Sequence, residues 1–319
     1  MPKPKSESKS ESKSESKSRP NSAPKLESKS APNSEPPFHR VTILGTGLIG
    51  GSFGLALRRA HPEIAIAGWD KPQILETALQ AGAISEAHRD FFEAVHESDL
   101  VYIALPVGVT LGALPSIAKV AKSNALITDA CSTKSAICAA AQKQFTETAR
   151  FLGGHPVAGR ENSGIANASA DLFQQARYVL TTQENDPDSR VQSFIALVRQ
   201  IGADPLFCDP DTHDWAAGVV SHLPQLLSIA LARVVADETD ETGLPLSMAG
   251  RGLRDMTRLA GSPYDLWRDI CLTNTDNIAR SLDRLSQAID HLRTHLARKD
   301  LENEFRAANE LYKILNHLQ

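Results

Sequence analysis

Two hydrophobic patterns divide the chain. Between residues 40 and 208, short β-branched apolar runs alternate with stretches in which apolar positions recur every three or four residues; beyond residue 211 only the second pattern persists. Arg40-Val41-Thr42-Ile43-Leu44, Ile64 to Asp70, Leu100 to Leu105 and Ala125 to Asp129 suit strands buried on both faces of a parallel sheet. Helical periodicity fills the gaps at 52–59, 74–80, 91–96, 109–121 and 135–148. Arg150-Phe151-Leu152 reads as the end of a strand, and 177–182 and 204–208 as further strands on either side of a helix at 188–201. The all-helical remainder comprises 211–237, 245–259, 263–273, 275–297 and 301–315. The first of these carries Pro224, which removes one helical hydrogen bond and frees the carbonyl of Val220, so a kink that opens a pocket is expected there.

This division predicts an α/β domain at 38–209 and an all-α domain at 210–319, preceded by a tail at 1–37. The tail is a Ser/Lys/Glu/Pro tract with near-repeats of Ser-Glu-Ser-Lys and almost no apolar residues. Such a segment cannot bury enough surface to offset the entropy of ordering it, so disorder and a passive solubilising role are expected. The glutamates and the missing apolar stretch argue against a transit peptide or secretory signal. A net charge of -4 argues against a general nucleic-acid binder. No apolar run is expected to reach the roughly 20 residues that span a bilayer. Cys131, Cys138, Cys208 and Cys271 lack CxxC spacing, which points to a reducing compartment, with neither a zinc site nor a disulfide framework. A cytoplasmic protein without a metal site is expected.

The most specific local signal is Gly45-Thr46-Gly47-Leu48-Ile49-Gly50, set between the first strand and first helix, with Asp70 ending the second strand 20 residues after Gly50. That context is the fingerprint of a Rossmann-type dinucleotide site. Gly45 permits the tight turn, Gly47 the approach of a pyrophosphate and Gly50 the packing of helix on strand. The amides of the first helical turn face the phosphates. Asp70 would bond the ribose hydroxyls and disfavour a 2′-phosphate, favouring NAD over NADP, although Lys71 could help accommodate a phosphate. Leu105 and Pro106, at the end of another strand, should border the cofactor. Ser132 or Thr133 suits the N-cap of the following helix, and Ser132 could also face the ligand. Cys131 suits a buried thiol.

Gly153-Gly154-His155-Pro156-Val157-Ala158-Gly159 is the central candidate for chemistry. Its glycines would let backbone approach a ligand, its proline would stop the strand, and its histidine can exchange a proton near neutral pH. A purely structural histidine fits the same residues. Ser221, His222, Gln225, Arg254 and Arg258 could line a cleft between the two halves. His222 could instead bond the carbonyl freed by Pro224. Arg254 and Arg258 could grip a carboxylate or form a solvated helix face. So many long helices with few aromatics suggest that a second subunit covers some apolar faces.

In order and spacing, the glycine motif, Asp129-x-x-Ser132-x-Lys134, Gly153 to Gly159, Ser221-His222-Leu223-Pro224 and Trp267-Arg268-Asp269-Ile270 resemble the prephenate/arogenate dehydrogenases of tyrosine biosynthesis. The resemblance covers the chain from about Arg40. It implies NAD-dependent oxidative decarboxylation of prephenate to 4-hydroxyphenylpyruvate, by a homodimer joined through its C-terminal helices. It further implies that His155 takes the ring hydroxyl proton, that Ser132 positions His155, and that Arg258 holds a substrate carboxylate. Ser221, His222 and Trp267 would lie at or near the pocket. Gln225 stands where many prephenate-preferring members carry a histidine, which leaves prephenate and arogenate both open. A related hydroxyacid dehydrogenase or a non-catalytic NAD-sensing regulator are the rival readings.

Overall fold

The computed structural model describes residues 38–145, 149–160, 162–298 and 300–317. The 1–37 tail, and residues 146–148 of the helix expected to reach 148, lie outside the described residues. Six strands form a parallel sheet: β1 (Arg40–Leu44), β2 (Ala65–Trp69), β3 (Glu86–His88), β4 (Leu100–Ile103), β5 (Leu126–Asp129) and β6 (Arg150–Leu152). Their order is β3-β2-β1-β4-β5-β6, so the chain reverses direction across the sheet between β1 and β4. Ligands bind open α/β sheets at that switch, outside the carboxyl ends of the strands. Helices α1 (Leu48–Ala60), α2 (Pro72–Gln80), α3 (Phe91–Val95), α4 (Val107–Val120) and α5 (Ser135–Gln142) make the connections. The near-continuous apolar runs are explained by burial on both faces: Val41, Ile43, Leu44, Val101, Ile103 and Ile127 are fully enclosed. The short β3 has no such run; Arg40 anchors it through both carboxylate oxygens of Glu86.

A second sheet follows, built from β7 (Gly154–Pro156), β8 (Arg177–Leu180) and β9 (Asp204–Phe207), with α6 (Ser189–Gln200) between the last two. β7 runs antiparallel to β8, and β9 parallel to it. Pro156 therefore does not stop the strand short: it pairs with Tyr178 on an edge strand, where its missing N–H leaves no central ladder bond unmade. The two sheets share one core. Phe53 stacks on Tyr102 at 3.8 Å, Phe194 meets both Phe53 and Tyr178, and the hydroxyls of Tyr178 and Tyr102 are bonded at 3.3 Å.

The remainder is helical: α7 (Pro210–Ala217), α8 (Leu223–Asp237), α9 (Leu244–Ser247), α10 (Arg251–Thr257), α11 (Tyr264–Thr273), α12 (Thr275–His295) and α13 (Glu302–His317). Pro224, the second residue of α8, is accommodated by a π-helical turn at Gly218–His222, in which the N–H of Leu223 reaches the carbonyl of Gly218 five residues back. One extra residue in the turn thus absorbs the bond Pro224 cannot make. The single helix expected over 245–259 is broken at 248–250, where Gly250 adopts an extended conformation before α10 begins. Contrary to expectation, one helical rod, Pro210–Asp237, is long and apolar enough to cross a membrane by length and composition. Its inner side nevertheless buries His213, Asp214, His222, Gln225 and Ser228, each hydrogen-bonded within the protein.

Candidate active site

Three connections converge on the carboxyl edge of the parallel sheet, after β1, β4 and β5. Gly45 has φ +90°, and a Cβ there would lie 2.4 Å from the Ala104 carbonyl and 3.0 Å from Leu105, so the first turn is pressed against the end of β4. At Gly50 an added Cβ would meet the Gly45 carbonyl at 1.9 Å, which locks α1 onto the turn. Gly47 differs: nothing lies within 4 Å of its would-be Cβ. It caps α1 without a side-chain hydrogen bond, and no acidic residue occupies the first turn, which begins at Leu48 and Ile49; Thr46 precedes the cap. An uncapped helix start with open space before it fits a pyrophosphate. Asp70 reaches across from β2, accepting the Thr46 amide at 2.8 Å and the Lys71 amide at 2.7 Å. Leu105 is half-buried and Pro106 exposed at the same edge.

His155 is held in β7 against the end of β5. Asp129 binds the Gly154 amide (3.1 Å) and the Cys131 amide (3.0 Å), and pairs with the fully buried Lys134. The Lys134 ammonium also donates to the Gly154 carbonyl at 2.7 Å. A buried ion pair is tolerable when its remaining valences are met in this way. The adjacent glycines make room for protein and not, as expected, for ligand. A Cβ at Gly154 would lie 2.7 Å from the Asp129 carbonyl, and one at Gly153 would meet Thr181 and Cys138.

A chain of hydrogen bonds then defines the proton on His155. Its Nδ1 lies 2.8 Å from His213 Nε2, and His213 Nδ1 lies 2.7 Å from an Asp214 oxygen. Burial works to raise the Asp214 carboxyl. Bonds from His213 and from the amides of Ser135 and Lys134 outweigh it and hold the group below the ordinary carboxylate range. An ionised carboxylate only accepts, so a neutral His213 must carry its proton on Nδ1 and accept at Nε2. His155 must then donate from Nδ1, which leaves the lone pair of its Nε2 available. Burial first, then the neighbouring His213, Lys134 and His222, push the His155 imidazole well below 6.5, so it is neutral near pH 7.

His222 shows the opposite polarity. Asn274 uses its Nδ2 on the Asp214 carbonyl (2.7 Å) and accepts the Asn277 amide at its Oδ1. The same Nδ2 lies 3.1 Å from His222 Nδ1, which therefore accepts and places the proton on Nε2. His222 packs edge-on against Trp267 at 5.7 Å, and burial lowers its pKa to about 4. It does not bond the carbonyl freed by Pro224. Among the described residues the site thus offers one imidazole as an acceptor and one as a donor.

Several assignments shift. Neither Ser132 nor Thr133 caps α5: the amides of Lys134 and Ser135 bond the two Asp214 oxygens at 2.7 and 2.9 Å, while Thr133 bonds Thr273. Ser132 sits half-buried at the end of β5, but the bond that orients His155 comes from His213. Gln225 is 2% exposed, and its amide bonds the Leu259 carbonyl and the Ser262 hydroxyl. Ser221 and Arg254 are exposed, and Arg258 opens a 3-10 turn after α10. Cys131 is a buried thiol whose pKa is pushed up to about 12 by burial and by Asp129. Among the described residues no group of three or more His, Cys, Asp or Glu side chains is placed to hold a metal. His213, Asp214 and Asn274 were not singled out from the sequence, and Asp129 and Lys134 entered only as the ends of the Asp129-x-x-Ser132-x-Lys134 motif, without a role of their own.

Comparison with known proteins fits this geometry. A family model described as "Prephenate dehydrogenase, nucleotide-binding domain" matches residues 53–206, and one described as "Prephenate dehydrogenase, dimerization domain" matches 209–315. Prephenate dehydrogenase of Bacillus subtilis is 35% identical over 83% of this chain and 72% of its own length. The chain belongs to the prephenate dehydrogenase family. A family member from Lactococcus lactis is 33% identical over 82% of this chain and 72% of its own, and the cyclohexadienyl dehydrogenase of Zymomonas mobilis 28% over 82% and 90%. Among solved structures, prephenate dehydrogenase from Aquifex aeolicus in complex with hydroxyphenyl propionate and NAD+ superposes with a TM-score of 0.80 at 26% identity. That likeness covers 88% of this chain and 98% of the other. Synechocystis arogenate dehydrogenase gives 0.73 at 27%, covering 88% and 100%.

Proposed function

We propose that this family member is an NAD-dependent prephenate dehydrogenase, which oxidises and decarboxylates prephenate to 4-hydroxyphenylpyruvate. The observation that carries the proposal is the free Nε2 of His155, defined through His213 by Asp214 at the carboxyl edge of the sheet. Gly45, Thr46, Gly47, Leu48, Ile49, Gly50 and Asp70 would hold NAD, with Leu105 and Pro106 bordering it. Bound NAD supplies the hydride acceptor.

His155 takes the proton of the ring hydroxyl as hydride leaves the same carbon. The bond to the ring carboxylate breaks, carbon dioxide departs, and the bonding pair completes the aromatic ring. The proton held on His155 returns to the phenolic oxygen, so no net proton is released. Protonated His155 keeps its Nδ1–H on His213, and the Asp214 carboxylate favours the charge that forms there. His222 offers Nε2–H to a substrate oxygen, with Trp267 fixing its ring. Ser132 borders the reacting atoms. Arg258 grips a carboxylate of the substrate, and Ser221 and Arg254 lie at the outer rim.

We further propose residues 38–209 and 210–319 as the two domains, and a cytoplasmic homodimer joined through the helical domain. Support for the dimer comes from the apolar side chains left exposed there, Phe305, Leu311, Tyr312, Ile314 and Leu315 on α13 among them. Arogenate is the second reading, left open by Gln225 where many prephenate-preferring members carry a histidine and supported by the likeness to an arogenate dehydrogenase. Reduced cofactor should form with prephenate and NAD; a protein that turns over only arogenate would move the assignment to that substrate, and turnover of neither would overturn it.

A further inference from the structure

Gln225 and Ser228 stand three residues apart on the inner side of α8, and both reach the same short turn. The Gln225 amide donates to the Leu259 carbonyl at 2.8 Å and accepts from the Ser262 hydroxyl at 3.3 Å. The Ser228 hydroxyl accepts the Ala260 amide at 2.9 Å. Gln225 and Ser228 are 2% and 1% exposed, whereas neither α10 nor the 3-10 turn that follows it, Arg258–Gly261, contains a buried residue. Leu259 and Ala260 of the turn are only half-buried. Two buried polar side chains would be costly on this otherwise apolar helix unless bonded, and the turn is what they bond.

We propose that Gln225 and Ser228 are positioning residues: they clamp the 258–262 turn and so fix where Arg258 meets a substrate carboxylate. Gln225 then acts on substrate through Arg258 and not by contact, because both ends of its amide are already engaged by the turn. The proposal rests on the reading of Arg258 as the carboxylate-binding residue. It also explains how a glutamine serves at this position without a titratable group.

The test is a double-mutant cycle in the full-length protein. Gln225→Met keeps the side-chain length and removes both bonds, and should raise KM for the substrate by roughly tenfold, with a smaller change in kcat. In an Arg258→Ala background the same substitution should add less than about twofold, because the two act as one unit. Ser228→Ala should resemble Gln225→Met, and Ser228→Thr, which keeps the hydroxyl, should restore most of the loss. Independent penalties that multiply in the double variant would overturn the clamp and make Gln225 a direct contact. Hydrogen exchange separates this claim from the proposed function: the Ala260 amide should exchange faster in Ser228→Ala and Gln225→Met even if the wild type oxidises neither prephenate nor arogenate. Unchanged exchange in both variants would also overturn it.

Discussion

Replacing His213 tests the proton logic most sharply, because this residue contributes nothing to the reaction except through His155. His213→Leu removes the acceptor of the His155 Nδ1–H and the donor to Asp214. His213 is 4% exposed, so water does not readily replace it. Leaving a buried donor unpaired costs about 1–3 kcal/mol. The imidazole escapes that penalty by rotating or by moving its proton to Nε2, and either change removes the lone pair needed for the hydroxyl proton. At about 1.4 kcal/mol per decade, kcat should fall on the order of 10- to 100-fold, with KM for both substrates changing less than about threefold. His213→Gln can place its NH2 toward Asp214 and its carbonyl toward His155, and should recover part of the loss. Initial rates of NADH formation under saturating prephenate and NAD measure this directly. A kcat for His213→Leu within about twofold of wild type would refute the reasoning.

Other consequences follow from the same groups. Because burial and neighbouring positive charge hold His155 well below 6.5, the acid limb of kcat/KM should fall below pH 6.5; a limb at or above 7 would contradict the assignment. Both His155 and His222 protonate less readily folded than unfolded, so stability should rise with pH up to about 6.5 and then flatten in this respect, as urea midpoints at pH 5 and 7 would report. Gly50→Ala, whose methyl would collide with the Gly45 carbonyl, should lower the melting temperature and abolish cofactor binding; a stable, fully active variant would sink that reading. Asp70→Ser should raise kcat/KM with NADP relative to NAD by at least about tenfold, and an unchanged ratio would remove Asp70 from cofactor selection.

The parallel sheet was legible because strands buried on both faces leave uninterrupted apolar runs, as at Val41 to Leu44 and Leu100 to Ile103. β3 was not, since Glu86 and His88 carry no such signal and the strand is defined by its short pairing with β2. His155 could be singled out from its local motif, but its partners could not. Asp214 caps a helix 80 residues away in sequence, and Asn274, the N-cap of α12, links it to His222. Contacts of that sequence separation leave no periodicity to read. An irregularity at Pro224 was foreseeable from proline chemistry, whereas its form as a π-helical turn left no signal in the sequence.

In the proposed reaction His155 accepts the substrate's hydroxyl proton as NAD is reduced. Its most direct measurement compares NADH formation from prephenate by the wild type and by His155→Asn, with cofactor and substrate binding measured in both. The wild type should turn over readily and the variant should lose at least about a thousandfold in kcat, with both ligands still bound. Comparable turnover by the two proteins would contradict it.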